Sequence, residues 1–351
     1  MLQHVANTGH AIARRFVEEP TNLKLPAWAG LIALGDFIIF FPIFLFLGYT
    51  IGSIFPTLAI VEDPNPPAYE PVALDETADH GPEASVPGKP ITTSLRATRR
   101  LLGSVAGWRS YFRGIVCAAV LSVAEASLGN IFTKFLPLIP IGALLAQLAL
   151  TQLGAAWTHI VISAPSSKKF YQRLPPFKKT FEATCFPILA VWLANAVNFA
   201  VPALVGRALG LAVPGRSDPE IPENPPQLGG DVAWKSLIVF ILAVGIQLAA
   251  VVPANVLLVR VQASLLPPDE DTIVPFDRSF GGKVDPVVVS GKGFVSMRDA
   301  LATFPKASWV RLYKLYAKIV GITFAVYVFA LAVIVPEVIL ILAKSEKTPS
   351  L

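Results

Sequence analysis

Charged side chains are scarce in this chain. Asp, Glu, Lys and Arg make up 15% of its 351 residues, while 54% are hydrophobic, and the mean hydropathy is +0.59. Soluble globular domains carry about 25% charged residues, so the composition excludes an ordinary soluble protein of this length. It predicts an all-α polytopic membrane protein whose surroundings are a lipid bilayer.

Cysteine and histidine are also rare. Both cysteines, Cys117 and Cys185, lie in or beside apolar runs, which excludes a disulfide framework and fits a reducing or organellar compartment. The four histidines are scattered and lack the spacing of metal ligands on one helix. The acidic run Asp269–Asp271 has no second acidic cluster to complete a metal site, and Gly281-Gly282-Lys283 is not a phosphate-binding loop. We therefore expect no enzyme, no metal and no cofactor.

The excess of positive charge points to membrane topology. A net charge of +5 could attract nucleic acid, but the basic residues fall in connections between apolar runs, where they orient a membrane protein. We expect no nucleic-acid partner. The segment from Met1 to Lys24 is largely polar, so we expect no cleavable secretory signal there.

Six apolar runs are long enough to cross a bilayer, which needs about 20 residues per helix. The runs cover about 27–61, two spans within 114–165, then 184–213, 232–266 and 314–343. The two prolines of the 136–140 segment predict the turn between the second and third spans.

The connections alternate in charge. Most Lys and Arg residues lie in 62–113, 165–181 and 267–313, so six spans put these three loops on one side and both termini on the other. The 62–83 stretch is rich in proline and acid without any Lys or Arg, and we expect it to be disordered. From Thr92 onward, leucines alternate with arginines in the pattern of an amphipathic helix on the membrane surface.

Two parts of the sequence repeat. The segments 107–114 and 308–315 each place a Trp and then further aromatic and cationic residues before an apolar run, and Pro56 and Pro253 each lie near the end of the preceding span. This predicts a repeated unit of kinked helix, loop, surface helix and second helix. The predicted organisation is a polar segment 1–26, repeat 1 at 27–136 with an acidic Pro-rich loop 62–90, repeat 2 at 137–213, a polar loop 214–231, repeat 3 at 232–344 and a tail 345–351.

These features resemble the mitochondrial carrier family. Its odd-numbered helices carry Pro-x-Asp/Glu-x-x-Lys/Arg-x-Arg-x-Gln, and this chain has Pro253, Asn255, Arg260 and Gln262 in the matching places. The segment 107–114 matches the family sequence before the second helix of a repeat. The resemblance implies six transmembrane helices in three two-helix repeats with amphipathic surface helices. It also implies transport of a small metabolite by alternating access in a mitochondrial membrane, the inner rather than the outer.

The chain departs from this family at the gate. The resemblance implies a ring of ion pairs formed by the motif acids and bases, but Pro56 is followed by Leu58 and Val61, and Asn255 is uncharged. In the second repeat we expect Pro165 to occupy the proline position. Either gating is atypical, or the chain keeps the fold without transport. In the second case it would be a scaffold, fusion or insertion factor that binds a protein partner through the loops 62–90 and 267–289.

Ionisable residues inside apolar runs are candidate functional groups, because an unpaired charge at mid-membrane costs several kcal/mol. These residues are Asp36, Glu125, Arg207, Arg260 and Glu337. The resemblance puts substrate contacts midway along the even-numbered helices. It implies the substrate-binding set Glu125, Asn195, Asn198 and Arg207, and the gate or motif set Pro56, Pro253, Asn255, Arg260 and Gln262.

Each charged candidate also has a structural interpretation. Glu125 and Arg207 could each belong to a structural ion pair, and Arg207 and Glu337 could lie at the membrane interface. Arg260 could extend along the helix to the interface and leave its charge in water. The sequence leaves these alternatives open.

Overall fold

A computed structural model describes residues 23–24, 26–63, 90–136, 141–211, 230–284 and 292–347. The predicted turn at 137–140, most of the acidic loop 62–90, the loop around 214–229 and the 285–291 part of the third basic loop lie outside the described residues, as does nearly all of both terminal segments. The chain divides into two compact units. One consists of Met1–Leu45, Phe199–Gly245 and Val320–Leu351, the other of Phe46–Asn198 and Ile246–Ile319.

The described residues are mainly helical. The α-helices are α1 (Ala29–Leu45), α2 (Phe55–Val61), α3 (Leu95–Ala106), α4 (Ile115–Phe135), α5 (Gly142–Ala149), α6 (Thr151–Ile162), α7 (Phe177–Ala208), α8 (Gly230–Ile246), α9 (Val252–Ser264), α10 (Met297–Ala302) and α11 (Lys306–Ala343). The π-helical segments Phe46–Ile54 and Gln247–Val251 join α1 to α2 and α8 to α9, and 3-10 turns occupy Ile91–Thr93, Gly107–Phe112 and Phe170–Arg173.

Among the described residues, five helical stretches are long and apolar enough to cross a membrane, and the bent pair α5 and α6 makes six if it counts as one span. Their large apolar side chains are exposed on the protein surface, including Leu31 at 71% and Phe324 at 68%. Side chains of this kind are stable on a surface that faces lipid. The chain is therefore an all-α, multi-pass membrane protein, as its composition predicts.

The third span bends at a place the sequence did not indicate. Helices α5 and α6 meet at Leu150 with an angle of 61° between them. Pro165, the expected proline of this span, lies beyond the end of α6 at Ile162 and takes no part in the bend. The prediction for Pro165 was wrong, because no proline is needed where the chain makes a turn between two short helices.

Pro56 and Pro253, where the sequence predicts kinks, do not end their spans. Each is in the first turn of a new α-helix that directly follows a π-helical segment. A proline ring collides with the carbonyl four residues earlier, here Gly52 or Ala249, and both of these residues lie in the π-helical segments. The wider π turn therefore accommodates the ring, and the span continues.

Helices α4 and α5 pack closely against each other. A Cβ atom added at Gly142 would lie 2.6 Å from the carbonyl oxygen of Gly129 and 2.2 Å from Oγ1 of Thr133. Close approach of this kind is the means by which small residues join helices in lipid, where apolar burial gives no driving force. It holds the second and third spans together.

The core of the second unit forms where α2, α6 and α9 meet. Leu58, Val161 and Val256 from these three helices are fully buried in one hydrophobic cluster. Helix α3 covers part of this cluster with the fully buried Leu102, while its arginines at 96, 99 and 100 are exposed. Ser94 caps α3 by accepting a hydrogen bond from the Ala97 backbone N–H. The amphipathic pattern predicted from Thr92 onward therefore forms a helix.

The first unit is held by aromatic contacts between α1 and α11. Phe44 stacks on Tyr327 with 5.1 Å between ring centroids, and Phe40 contacts Phe329 at 6.3 Å. Two residues, Leu23 and Lys24, pair antiparallel with Lys347 and Glu346 near the chain ends.

Candidate functional site

The C-terminal ends of α2, α6 and α9 form the candidate functional site, which we name the convergent end. The last four carbonyl groups of any helix lack partners within that helix. At the convergent end several of these carbonyls accept hydrogen bonds from side chains of a different helix or from backbone of another segment. The bonding closes this end of the second unit with polar groups as well as with the apolar cluster.

Arg260 of α9 is at the centre of this arrangement. It is only 7% exposed, and its Nε donates to the Ala300 carbonyl at 2.8 Å while Nη2 donates to Thr303 Oγ1 at 2.9 Å. A longer bond of 3.4 Å joins Nη1 to the Ile60 carbonyl of α2. Arg260 thus lies inside the protein and does not extend into water, so the interpretation as an interfacial arginine does not describe it.

Two aromatic rings enclose the Arg260 guanidinium. Its central carbon lies 4.8 Å from the Phe280 ring centroid and 5.2 Å from that of Phe304. Cation–π contacts strengthen when the cation is desolvated, as it is here. The rings therefore compensate part of the cost of burying this charge.

Gln262, the other polar motif residue, joins α9 to α6. Its side-chain oxygen accepts a hydrogen bond from Thr158 Oγ1 at 2.6 Å, and its backbone carbonyl is 2.8 Å from Nε2 of His159. His159 and Thr158 are both fully buried. The sequence indicated Gln262, but nothing in the spacing of the scattered histidines indicated His159.

An ion pair between Glu62 and Arg311 connects the end of α2 to the start of α11. The atoms are 3.3 Å apart, and the side chains are 0% and 5% exposed. Glu62 also accepts hydrogen bonds from the backbone N–H groups of Ile91 and Thr92 at 2.6 and 3.0 Å. The assignment of Glu62 to the disordered acidic loop was wrong, because its carboxylate is buried and fully bonded at the helix end.

Two further arginines donate hydrogen bonds to the carbonyls at helix C-terminal ends. Arg311 Nη2 donates to the carbonyls of Ala59 and Glu62 at 3.1 and 2.8 Å. Arg113, just before α4, donates to the Ile160 carbonyl of α6 at 2.9 Å and also to the Ser163 carbonyl. A cation at a helix C-terminus is stabilised by the helix dipole as well as by these bonds.

The predicted motif residues Pro56, Pro253 and Asn255 adjoin this site. Pro56 and Pro253 open the helices α2 and α9, which carry the apolar cluster. Asn255 is half-buried on α9. Leu58, which follows Pro56 at the spacing where the sequence comparison expected an acid, is fully buried in the apolar cluster.

Of the predicted substrate-binding residues, Asn198 has the most informative surroundings. Its Nδ2 donates to Oε1 of Gln247 at 3.0 Å, and Gln247 is the first residue of the second π-helical segment. The side-chain oxygen of Asn198 is buried and has no hydrogen-bond partner among the described residues. A buried acceptor without a partner is rare and is available to a donor on a bound molecule. The sequence did not indicate Gln247.

The other predicted substrate contacts lie apart from this amide pair. Asn195 is exposed and donates to the Val191 carbonyl of its own helix at 2.9 Å. Glu125 is half-buried on α4, and within the described part of the chain it has no ion-pair partner. Arg207 is exposed in the last turn of α7, where a cation suits the helix dipole.

Two intramembrane acids, Asp36 of α1 and Glu337 of α11, belong to the first unit and contact each other. Oε2 of Glu337 is buried and has no hydrogen-bond partner among the described residues. The sequence pattern did not indicate that these two residues lie close together.

A pocket of about 500 Å³ opens beside the start of α4. Its lining is mostly apolar, and the charged side chains in it are all basic. The basic residues are Arg109, Arg113, Lys168, Lys169 and Arg173. Lys168 and Arg173 are already paired with Asp269 and Glu270, so an anionic group in the pocket would compete with these ion pairs.

The fold and site together define a multi-pass helical membrane protein with interrupted spans whose ends meet at a polar, arginine-capped layer. Comparison of the chain with protein-family profiles, curated proteins and solved structures finds no match.

Proposed function

We propose that this protein transports a small solute across a mitochondrial membrane by alternating access, with the fold of a mitochondrial carrier. The observation that supports this most is the meeting of three interrupted spans at the convergent end. Each of these spans changes its helical geometry before it reaches that end, at Phe46–Ile54, at Leu150 and at Gln247–Val251. Discontinuous spans around a closed end are typical of transporters that open one side at a time.

A repeated architecture supports the same proposal. The first and last thirds each contain an α-helix, a π-helical segment, an α-helix opened by a proline, a serine-capped short helix and a long span. The capping serines are Ser94 and Ser296. Arg113 and Arg311 then cap the ends of α6 and α2 respectively. Similar caps at the ends of α2 and α6 would allow these two ends to part in the same way.

The uncharged gate is compatible with transport. Leu58, Val61, Val161 and Val256 are at most 2% exposed in the apolar cluster beside the convergent end. Burial of one such side chain contributes about 1.5–3 kcal/mol, which is enough for several of them to keep an end closed without a ring of ion pairs. Gating would then depend on apolar packing and on arginine-capped carbonyls.

The amide pair of Asn198 and Gln247 is the proposed solute contact. It combines an unpartnered acceptor with a helix segment of unusual geometry, and π turns are frequent at functional sites. An uncharged amide oxygen would accept a hydrogen bond from a hydroxyl, amine or amide of the solute. The solute would therefore carry such a donor.

The alternative function, a non-transporting scaffold with a protein partner, has less support. It relies on the loops 62–90 and 267–289 being free to bind. Val274 and Phe280 in the second loop are 1% and 2% exposed, so this part is packed against its own protein. A segment engaged in this way offers few side chains to a partner.

Solute exchange in liposomes tests the transport function. The full chain would be reconstituted and assayed with a panel of isotopically labelled carboxylates, amino acids and nucleotides. We expect exchange of at least one solute. Replacement Asn198→Ala should reduce this exchange about tenfold or more, because the bound solute loses a buried hydrogen bond.

Asn195→Ala is the matched control, since its amide bonds only to its own helix. It should leave exchange close to wild type. Equal loss in the two variants would contradict the proposed contact. Absence of exchange for the whole panel, with the protein folded and inserted, would instead favour the scaffold function.

A further inference from the structure

The segment Pro267–Val284, which follows α9, crosses the ends of the other two helices of the convergent end. The backbone of Ile273 donates to the Ile162 carbonyl at 2.9 Å, and Ala164 donates to the Asp271 carbonyl at 2.6 Å. These bonds flank an antiparallel bridge between Ser163 and Thr272. The segment is thus attached to the end of α6 by a short stretch of sheet pairing.

The same segment is bonded to α2. The Asp63 backbone N–H, just past the end of that helix, donates to the Pro275 carbonyl at 2.8 Å. Since the segment is also continuous with α9, one stretch of chain connects the C-terminal ends of all three helices. The helices cannot separate at this end while all of these connections persist.

An ion pair fixes the segment in place. Arg173 and Glu270 form a direct contact, and their side chains are only 5% and 13% exposed. Arg173 also donates to Ser163 Oγ at 2.6 Å, beside the bridge. Arg278 donates to the carbonyls of Pro267 and Glu270 and so holds the start of the segment in its turn.

Buried side chains anchor its far half. Val274 is 1% exposed in the cluster shared by α2, α6 and α9. Phe280 is 2% exposed and lies against Arg260. Phe280 has a backbone φ of 51°, which is unusual for a residue with a large side chain. Its packing against Arg260 therefore holds a local conformation that costs energy.

We propose that Pro267–Val284 is a latch that keeps the convergent end closed and must detach from α6 before that end can open. This proposal rests on the proposed transport function, because it states what controls the opening of the convergent end. Release would begin at the Arg173–Glu270 ion pair and the Ser163–Thr272 bridge. Rupture there frees α6 while the covalent connection to α9 remains.

The test measures opening without any solute. A single cysteine at Val256, fully buried in the apolar cluster that α2, α6 and α9 share, would be introduced after Cys117→Ser and Cys185→Ser. The full chain in liposomes would be treated with a membrane-impermeant maleimide. We expect Glu270→Gln to accelerate labelling at least about tenfold, since it removes one partner of a largely buried ion pair.

Asp269→Asn is the matched control. Asp269 is the neighbouring residue, and its 4.0 Å contact with Lys168 is between side chains that are 70% and 56% exposed. An exposed pair contributes little to stability, so labelling should not change. Thermal unfolding of both variants in detergent would show whether the protein stays folded.

A cross-link provides the opposite perturbation. Cysteines at Ser163 and Thr272 face each other across the bridge, and their oxidation to a disulfide should slow labelling of the Val256 cysteine below the rate in the reduced protein. Reduction of the disulfide, followed by removal of the reductant, should restore the faster labelling of the Val256 cysteine. Equal labelling in the Glu270→Gln variant, the Asp269→Asn control and the disulfide-linked protein would overturn the latch. If Glu270→Gln accelerates labelling and the disulfide slows it, but no solute of the panel is exchanged, the latch is supported and the transport function is contradicted.

Discussion

Arg260 shows how a single residue can be both charged and structural. Its guanidinium donates to carbonyl and hydroxyl groups on two other segments and contacts two aromatic rings. Burial without such partners would cost several kcal/mol, so the residue and its surroundings depend on each other. Its removal leaves the Ala300 carbonyl and the Thr303 hydroxyl without this donor.

Replacement Arg260→Met keeps much of the side-chain volume and removes the donors. We expect it to lower the free energy of unfolding by about 3 kcal/mol, measured by thermal or chemical unfolding in detergent. Arg298→Met on α10 is the control, because Arg298 is exposed, and it should change stability by less than about 0.5 kcal/mol. A similar loss in both variants would contradict the role assigned to Arg260.

Asp277 gives the latch a dependence on acid. Partial burial raises the pKa of Asp277, but hydrogen bonds from the Ser279 hydroxyl and from the backbone of Gly281 and Ser279 outweigh it and hold the pKa below its usual value. Arg260 acts in the same direction. A carboxyl group whose pKa is lowered in the folded state stabilises that state at every pH above the ordinary pKa, which is near 3.9. This stabilisation is lost as the pH falls through the lowered pKa.

The wild-type latch should therefore loosen on acidification below about pH 4, seen as faster maleimide labelling of the Val256 cysteine relative to a free thiol at the same pH. In Asp277→Asn the relative rate should already be raised at pH 7 and should change less with acid. A variant whose relative labelling follows the wild-type pH curve would show that Asp277 does not contribute.

The limits of sequence reasoning are clearest for single residues. Arg260 and Gln262 could be selected because they follow Pro253 at fixed spacing. Glu62 could not be, since its neighbours in sequence are acidic and proline-rich while its partners Thr92 and Arg311 are distant in the chain. Gln247 and His159 were missed for the same reason: their partners lie on other helices.

At the scale of elements, the π-helical segments explain how prolines occur inside continuous spans. Composition and run length were sufficient to predict the apolar spans, whose ends agree with the helices to within several residues. The geometry inside a span was not predictable, because π and α turns carry the same apolar residues. The bend at Leu150 is a clear case, since no glycine or proline marks it.

Replacement of Pro253 by Ala tests the function of these interruptions. The backbone N–H returned to position 253 can bond in a regular α-helix, so the π turn at Gln247–Val251 should shift toward α geometry. We expect solute exchange in liposomes to slow several-fold while the protein stays folded. Pro42→Ala in the regular helix α1 is the control and should not slow exchange; equal slowing would mean that proline loss acts generally.

At the scale of the whole molecule, the class of protein follows from composition, while the function depends on motion. Helical, apolar spans are expected from 54% hydrophobic residues, whatever the protein does. A transporter requires that the convergent end exist both closed and open. A scaffold has no such requirement.

The most direct test of the account is the distance between two spin labels across this end. Cysteines at the exposed positions Ser166, after α6, and Lys306, at the start of α11, would be labelled in the variant lacking Cys117 and Cys185. Pulsed electron double resonance in liposomes would then report the distance distribution. We predict two populations, with the longer distance increased by Glu270→Gln. A single narrow distribution that neither this variant nor any solute of the panel changes would contradict transport through an opening convergent end.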